Sequence, residues 1–272
     1  MGDEGMFSSG EGRLSGLITL TTDMGMADGY VGAMKGVVLE VNPLAAVIDI
    51  AHDIPPGDVV HGAFVLSTAI PFFPQGTVHI AVVDPDVGSA DRRPIAVEVA
   101  GQYLVGPDNG LFSLLFSGDC RTVVLSSQAF RLPEVSATFH GRDIFAPAAG
   151  HLSLGAPIGE LGQEIYDPVM LELLTVKDLG GELHGSVIHI DRFGNMITNV
   201  KPANLKGRPI ARVRIGELEV SGVKGSYCEV GCGEPLALWG SSACLEVAVN
   251  RGKANERALV GRGARVVVAL KD

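Results

Sequence analysis

The chain has 272 residues, of which 46% are apolar, with 36 Gly, 15 Pro and a formal net charge of −10. That charge argues against nucleic acid as a partner, because phosphate backbones are met by a Lys/Arg footprint that releases counterions. The four cysteines, at 120, 228, 232 and 244, are too few for a disulfide scaffold, and no apolar run approaches the roughly 18 residues of a spanning helix.

Residues 1–16 mix Gly, Ser and acids without the basic start and apolar stretch of a signal peptide, and read as a disordered leader on a cytoplasmic protein. Met6 stands where a myristoylation motif needs Ser or Thr. From Leu17 the pattern alternates strand and helix. A buried strand over Leu17–Thr22 is followed by a helix over Tyr30–Val41 and a strand over Ala46–Ile50. Asp58 is a natural N-cap for a helix running to Ala69, which Pro71 and Pro74 stop. Val78–Val83 is a third strand, Ile95–Val99 and Gln102–Val105 form a hairpin, and Gly110–Phe116 reads as helical. Strand, helix, strand, helix, strand predicts an α/β domain over residues 17–170 with a mostly parallel sheet covered by helices.

A linker over residues 171–181 leads to a different texture. Short β-rich runs at Gly185–Ile190, Met196–Val200, Ala211–Val213, Leu218–Val220, Leu236–Trp239, Cys244–Val249 and Ala264–Leu270 are separated by Gly and Asn/Asp turns. Residues 182–272 are therefore expected to form a smaller all-β, barrel-like domain.

In open α/β sheets the ligand crevice lies at the carboxyl ends of the strands. Thr21-Thr22-Asp23 closes the first strand, so the Asp23 carboxylate is placed to accept hydrogen bonds from a ribose diol or to cap the next loop. Val83-Asp84-Pro85 closes the third, and Arg92 or Arg93 is near enough along the loop to fold back on Asp84. With His140 from His140-Gly141-Arg142-Asp143, these groups can bind a water, the guanidinium favouring hydroxide while the Asp/His pair handles the proton. In the second domain, Asp191-Arg192-Phe193-Gly194-Asn195 sits at a β-turn, where Asn195 offers a donor and an acceptor and Phe193 a stacking face; the same residues also make a good turn with no function. Pro107-Asp108-Asn109-Gly110 reads as a turn. No phosphate-cradling glycine motif is present, and without His-x-His or His-Glu-x-x-His spacing no metal is expected, although His52-Asp53 keeps a metal-dependent phosphoesterase as a minor reading.

Six segments in order carry a more specific signal: Leu20–Gly25, Val83–Gly88, Pro107–Gly110, Thr138–Phe145, Ile190–Asn195 and Leu245–Asn250. Together they resemble the S-adenosylmethionine hydroxide adenosyltransferases, relatives of the fluorinase and chlorinase enzymes. The resemblance implies attack of water or hydroxide on the 5′ carbon of S-adenosylmethionine, giving adenosine and methionine with no cofactor or metal. It implies a homotrimer with the substrate between one subunit's first domain and a neighbour's second. It puts the catalytic set on Asp84, Arg92 and His140, with Arg93 the competing position for the arginine. Asp23 would hold the ribose hydroxyls; Asp191, Asn195 and Ser241 would meet the methionine end; Glu246, Val249 and Asn250 would line the adenosine pocket. Gly57 stands where the halogenating relatives place an aromatic ring, and those relatives carry Tyr at the positions of Asp84 and His140 and an insertion after the arginine. Water is thus the expected nucleophile. A halide-using adenosyl transferase and a non-catalytic adenosine or S-adenosylmethionine sensor are the competing readings.

Overall fold

The computed structural model describes residues 15–116, 118–172 and 175–271. Nearly all of the expected leader, residues 1–14, lies outside the described residues, as do two positions of the expected linker. The chain divides into two compact units between Met170 and Leu171.

The first unit is built on a seven-stranded sheet. Its strands are β1 (Leu17–Thr22), β2 (Ala46–Ala51), β3 (Val78–Val82), β4 (Pro94–Val99), β5 (Gln102–Pro107), β6 (Cys120–Val124) and β7 (Glu164–Ile165), ordered β2-β1-β3-β5-β4-β6-β7. The pairings β2-β1, β1-β3 and β3-β5 are parallel. The β4–β5 hairpin reverses direction, so the other half of the sheet is antiparallel. The mostly parallel reading therefore describes the half that carries the candidate site, and the sheet as a whole is mixed.

Alternation along β3 explains why the sheet is covered on both faces. Val78, Ile80 and Val82 join the core under α1 (Tyr30–Val41) and α3 (Ala146–Ser153), while Ala81 and the following Val83 join the core under α2 (Val59–Ala69). Asp58 caps α2 as its sequence position predicts, its side chain accepting from the His61 amide over 3.0 Å. Gly150 lets α3 approach α1 closely, since a Cβ there would lie 2.8 Å from the Cβ of Val41.

Two segments differ from expectation. Gly110–Phe116 is not a helix: its backbone makes i→i+3 bonds from Ser113 to Gly110 and from Leu115 to Phe112, and Gly110 has φ +94°. That left-handed start, with Asn109 Oδ1 accepting from the Leu111 amide at 3.2 Å, makes successive turns instead. Conversely, α3 is entered through a π-helical turn over Gly141–Phe145 that pattern reading does not find.

The second unit is a nearly closed, barrel-like sheet. Strands β8 (Lys177–Asp178), β9 (Glu182–Ile190), β10 (Met196–Thr198), β11 (Ile210–Ile215), β12 (Leu218–Ser221), β13 (Pro235–Trp239), β14 (Leu245–Val249) and β15 (Arg265–Leu270) pair antiparallel in the order β12-β11-β15-β9-β10-β14-β13, with β8 on β9. The two ends meet where the Lys224 amide, just past β12, donates to Ala237 O of β13 at 2.8 Å. The barrel core is aliphatic, centred on Leu183, Val187, Met196, Val213, Val247, Val266 and Val268. A short helix, α4 (Ala254–Ala258), packs against β14.

Candidate active site

Asp23 and Asp84 lie at the carboxyl ends of the adjacent parallel strands β1 and β3, Asp23 directly after the last paired residue and Asp84 two residues after it. Asp84 is almost fully enclosed, and Arg92 folds back along the loop so that its Nη2 is 2.6 Å from Asp84 Oδ2. The same Nη2 is 2.7 Å from His140 Nδ1. Asp84, Arg92 and His140 are thus brought together as the sequence pattern suggests. Arg93 points elsewhere: it pairs with buried Asp108 at 2.6 Å and with Asp167 at 2.9 Å. The geometry separates the two arginines, since only Arg92 touches both other members of the set.

The protonation of this cluster follows from its contacts. A guanidinium has no acceptor, so His140 Nδ1 must present its lone pair to Arg92, and the neutral ring carries its proton on Nε2. Burial, then the positive charges of Arg92 and Arg131, hold the His140 pKa below its ordinary value, with Asp143 opposing them. Asp84 is pushed up to about 6, chiefly by burial and further by Asp86 and Asp23, against the attraction of Arg92. Asp84 Oδ1 and Arg92 Nε and Nη1 are buried with no hydrogen-bond partner among the described residues. Buried polar atoms are rarely left so, and here an acceptor and two cationic donors remain beside one another.

Two neighbouring hollows lie here, and the smaller opens onto the cluster. One of about 60 Å³ is lined by Asp23, Asp84, His140 and Thr138, among others. A second, of about 340 Å³, shares Met24, Thr138 and Phe139 with it and adds Tyr30, Ser136 and Arg142. Phe139 stands edge-on to Tyr30 at 5.3 Å and lies under the Arg142 guanidinium at 4.9 Å. Asp23 Oδ2 accepts from the Gly57 amide at 2.8 Å, so one carboxylate oxygen is fixed by the backbone.

Every residue singled out in the second domain lines one cavity of the barrel unit, about 890 Å³ in volume: Asp191, Asn195, Ser241, Glu246, Val249 and Asn250. Asp191 orders the β9–β10 turn, its Oδ1 accepting from the amides of Phe193 and Asn195 and its Oδ2 from Asn195 Nδ2, each at 2.9 Å. Asn250 also has a structural partner, donating to Val230 O at 2.8 Å. Phe193 and Trp239 give the cavity aromatic faces, and Arg192, Arg251 and Lys253 give it cations.

Sequence reading missed Tyr227, whose hydroxyl donates to Glu246 Oε1 over 2.6 Å. Burial raises the pKa of Glu246, as does the charge of Asp191, while the Tyr227 hydrogen bond lowers it. Nothing around Tyr227 in its Gly- and Cys-rich segment announces a partner nineteen positions on. Among the described residues no three His, Cys, Asp or Glu side chains are grouped to hold a metal ion, and no helix is long and apolar enough to cross a membrane.

An α/β unit with a buried Asp-Arg-His cluster at its strand ends, joined to a barrel unit with a polar and aromatic cavity, defines a two-domain small-molecule protein. Residues 18–162 match the SAM hydroxide adenosyltransferase N-terminal domain and residues 185–267 the C-terminal domain, and the chain belongs to this family. It is 42% identical to the (R)-S-adenosyl-L-methionine hydrolase of Thermus thermophilus, a match covering 86% of this chain and 92% of the relative. A fluorinase from Actinoplanes sp. is 27% identical, over 70% of this chain and 73% of that one. The crystal structure of an uncharacterized conserved protein from Thermotoga maritima superposes with a TM-score of 0.83 at 32% identity, covering 93% of this chain and 99% of that one.

Proposed function

We propose that the protein hydrolyses S-adenosyl-L-methionine to adenosine and L-methionine by attack of water on the 5′ carbon. The observation that carries this reading is the shared Arg92 Nη2, 2.6 Å from Asp84 and 2.7 Å from His140, beside the unpartnered Asp84 Oδ1. The relatives' name supports it: proteins about 40% identical over most of this chain are called (R)-S-adenosyl-L-methionine hydrolases.

In this reading each group has one task. His140, with Nδ1 occupied by Arg92, donates from Nε2 to the water oxygen and orients it. Asp84 accepts a water proton on Oδ1. The free N–H groups of Arg92 stabilise the negative oxygen in a site that excludes bulk water. Water alone has a pKa of about 15.7, which is why such stabilisation is needed. The new bond joins the water oxygen to C5′; the C5′–S bond breaks and its electron pair returns the sulfonium to the neutral thioether of methionine. Because that leaving group needs no proton, the scheme invokes no general acid, metal or cofactor. Holding the oxygen in line with the C–S bond contributes roughly 7–11 kcal/mol by orientation alone.

Asp23 holds the ribose hydroxyls. Asp191, Asn195 and Ser241 meet the methionine end, and Glu246, Val249 and Asn250 line the adenosine pocket. Residues 17–170 form the domain of the nucleophile and residues 182–272 that of recognition, joined by 171–181. The working form is a cytoplasmic homotrimer in which each substrate lies between subunits.

The test is S-adenosylmethionine incubated in oxygen-18 water, with an Asp84→Ala control and a parallel chloride sample. Labelled adenosine with methionine, lost in the control, is expected. A 5′-halo product would move the protein to the halide users, and saturable binding without turnover would make it a sensor.

A further inference from the structure

One buried titratable side chain outside the Asp84 cluster is tied to the segment that carries Asp23. His52 follows β2 and is 6% exposed. Its Nε2 lies 3.0 Å from Asp49 Oδ1, and Asp49 Oδ2 accepts from Lys35 Nζ of α1 at 2.7 Å. Its Nδ1 lies 2.9 Å from Thr22 Oγ1, and that oxygen accepts from the Met24 amide at 3.3 Å. The His52 carbonyl accepts from the Gly25 amide at 2.8 Å. The residues on both sides of Asp23 are therefore held by or through His52, and Asp23 itself is held by Gly57 from the far end of the same loop.

These contacts have a direction. His52 Nε2 lies within ion-pair distance of Asp49 Oδ1 without the alignment of a hydrogen bond, and a carboxylate that close favours the N–H on Nε2, since a lone pair there would face another. Thr22 Oγ1 receives the Met24 N–H and has its hydroxyl proton to give, which Nδ1 accepts. The ring works as a rigid spacer between two loops, and the exposed Lys35–Asp49 pair at its outer end adds little energy of its own. A surface histidine would not need this arrangement; a loop whose carboxylate must meet a ligand at one angle does.

We propose that His52 is a positioning residue for Asp23, fixing the segment 22–25 so that the carboxylate oxygen not held by Gly57 meets the ribose diol of the substrate. This rests on the reading that Asp23 holds the ribose.

The test compares wild type, Asp23→Asn, His52→Leu and His52→Asn, with S-adenosylmethionine and its 2′,3′-dideoxy counterpart as substrates, and follows amide hydrogen exchange at Met24 and Gly25. Leu and Asn match in shape, but only the Asn amide can still accept from Thr22. His52→Leu is expected to lower kcat/KM for S-adenosylmethionine about tenfold, to leave the dideoxy substrate within about twofold, and to speed exchange at both amides, with His52→Asn recovering most of each. Equal losses on the two substrates, or unchanged exchange in His52→Leu, would overturn the proposal. If Asp23→Asn does not itself distinguish the substrates, the ribose reading fails instead, and the exchange rates still decide whether His52 positions the segment.

Discussion

Arg92 Nη2 donates to His140 Nδ1 across 2.7 Å, and that contact assigns the imidazole proton to Nε2. Arg92→Lys removes the planar fork that reaches Asp84 and His140 from one nitrogen, because an ammonium is a point donor on a different stem. It is expected to lower kcat by about 10²–10³ with little change in melting temperature, matching the loss of one preorganised charge-stabilising donor. Arg93→Lys is expected to do the reverse, lowering stability by about 1–2 kcal/mol through its pairs with Asp108 and Asp167 while kcat falls less than about threefold. Steady-state kinetics and thermal unfolding of both variants check the assignment; equal kcat losses would refute it.

In the proposed mechanism Asp84 must be ionised to accept the water proton, and burial pushes its pKa up to about 6. A log–log plot of kcat/KM against pH is therefore expected to rise with unit slope to about pH 6 and then level. Asp84→Asn should run at least about 10²-fold lower without that step. The stability effect has the opposite sense. A carboxyl whose folded pKa is raised contributes stability in full below its unfolded value near 3.8, and that contribution is lost as pH rises through about 6. Between pH 4 and 7 the change is worth about 2 kcal/mol, measured as wild-type unfolding free energy against the Asn variant.

How much of this was legible before the fold depends on what each residue signals locally. β1 and β3 are short runs rich in Leu, Ile and Val, interrupted only by Thr in β1 and His79 in β3 and followed by a carboxylate, so their burial and the placing of Asp23 and Asp84 at strand ends follow from pattern alone. The choice between Arg92 and Arg93 did not, since neighbouring positions on a loop differ in direction, and direction is set by Asp108, a residue of the Pro107–Gly110 turn. That turn does more than reverse the chain: Asn109 Nδ2 donates to Val83 O at 2.8 Å and so holds the backbone next to Asp84. α3 was hidden because Pro147 and Gly150 interrupt the helical signal; the structure uses the first in the opening turn and the second to seat the helix on α1.

Gly88 brings the Asp84 loop against the segment leading to His140. It has φ +84°, and a Cβ there would sit 2.3 Å from Ala137 O, a backbone atom with no rotamer to yield. Gly88→Ala is expected to cost about 1–3 kcal/mol in stability and to lower kcat by more than about tenfold, because the Asp84–Arg92–His140 distances must open. Denaturant unfolding with kinetics on the folded fraction tests this; a variant with native kcat would show that the close approach does not set the cluster.

Tyr227 offers the same kind of test for the barrel cavity. Its hydroxyl holds Glu246 Oε1 at 2.6 Å, and Gly240 leaves room for Oε2, which would lie 2.6 Å from a Cβ at that position. Tyr227→Phe keeps the ring and deletes the donor. Glu246, already raised by burial, loses the hydrogen bond that lowers its pKa and must rise further. If Glu246 meets the substrate as proposed, a protonated Glu246 is a weaker acceptor, so KM is expected to increase about tenfold, near 1.4 kcal/mol, while kcat stays within about threefold because the proposed chemistry is at Asp84. KM should also begin to climb with acidification at a higher pH in Tyr227→Phe than in wild type, since the folded carboxyl takes up its proton earlier. Parallel KM–pH curves for the two proteins would mean that Glu246 does not meet the substrate through its charge, and the tyrosine would then be a packing residue.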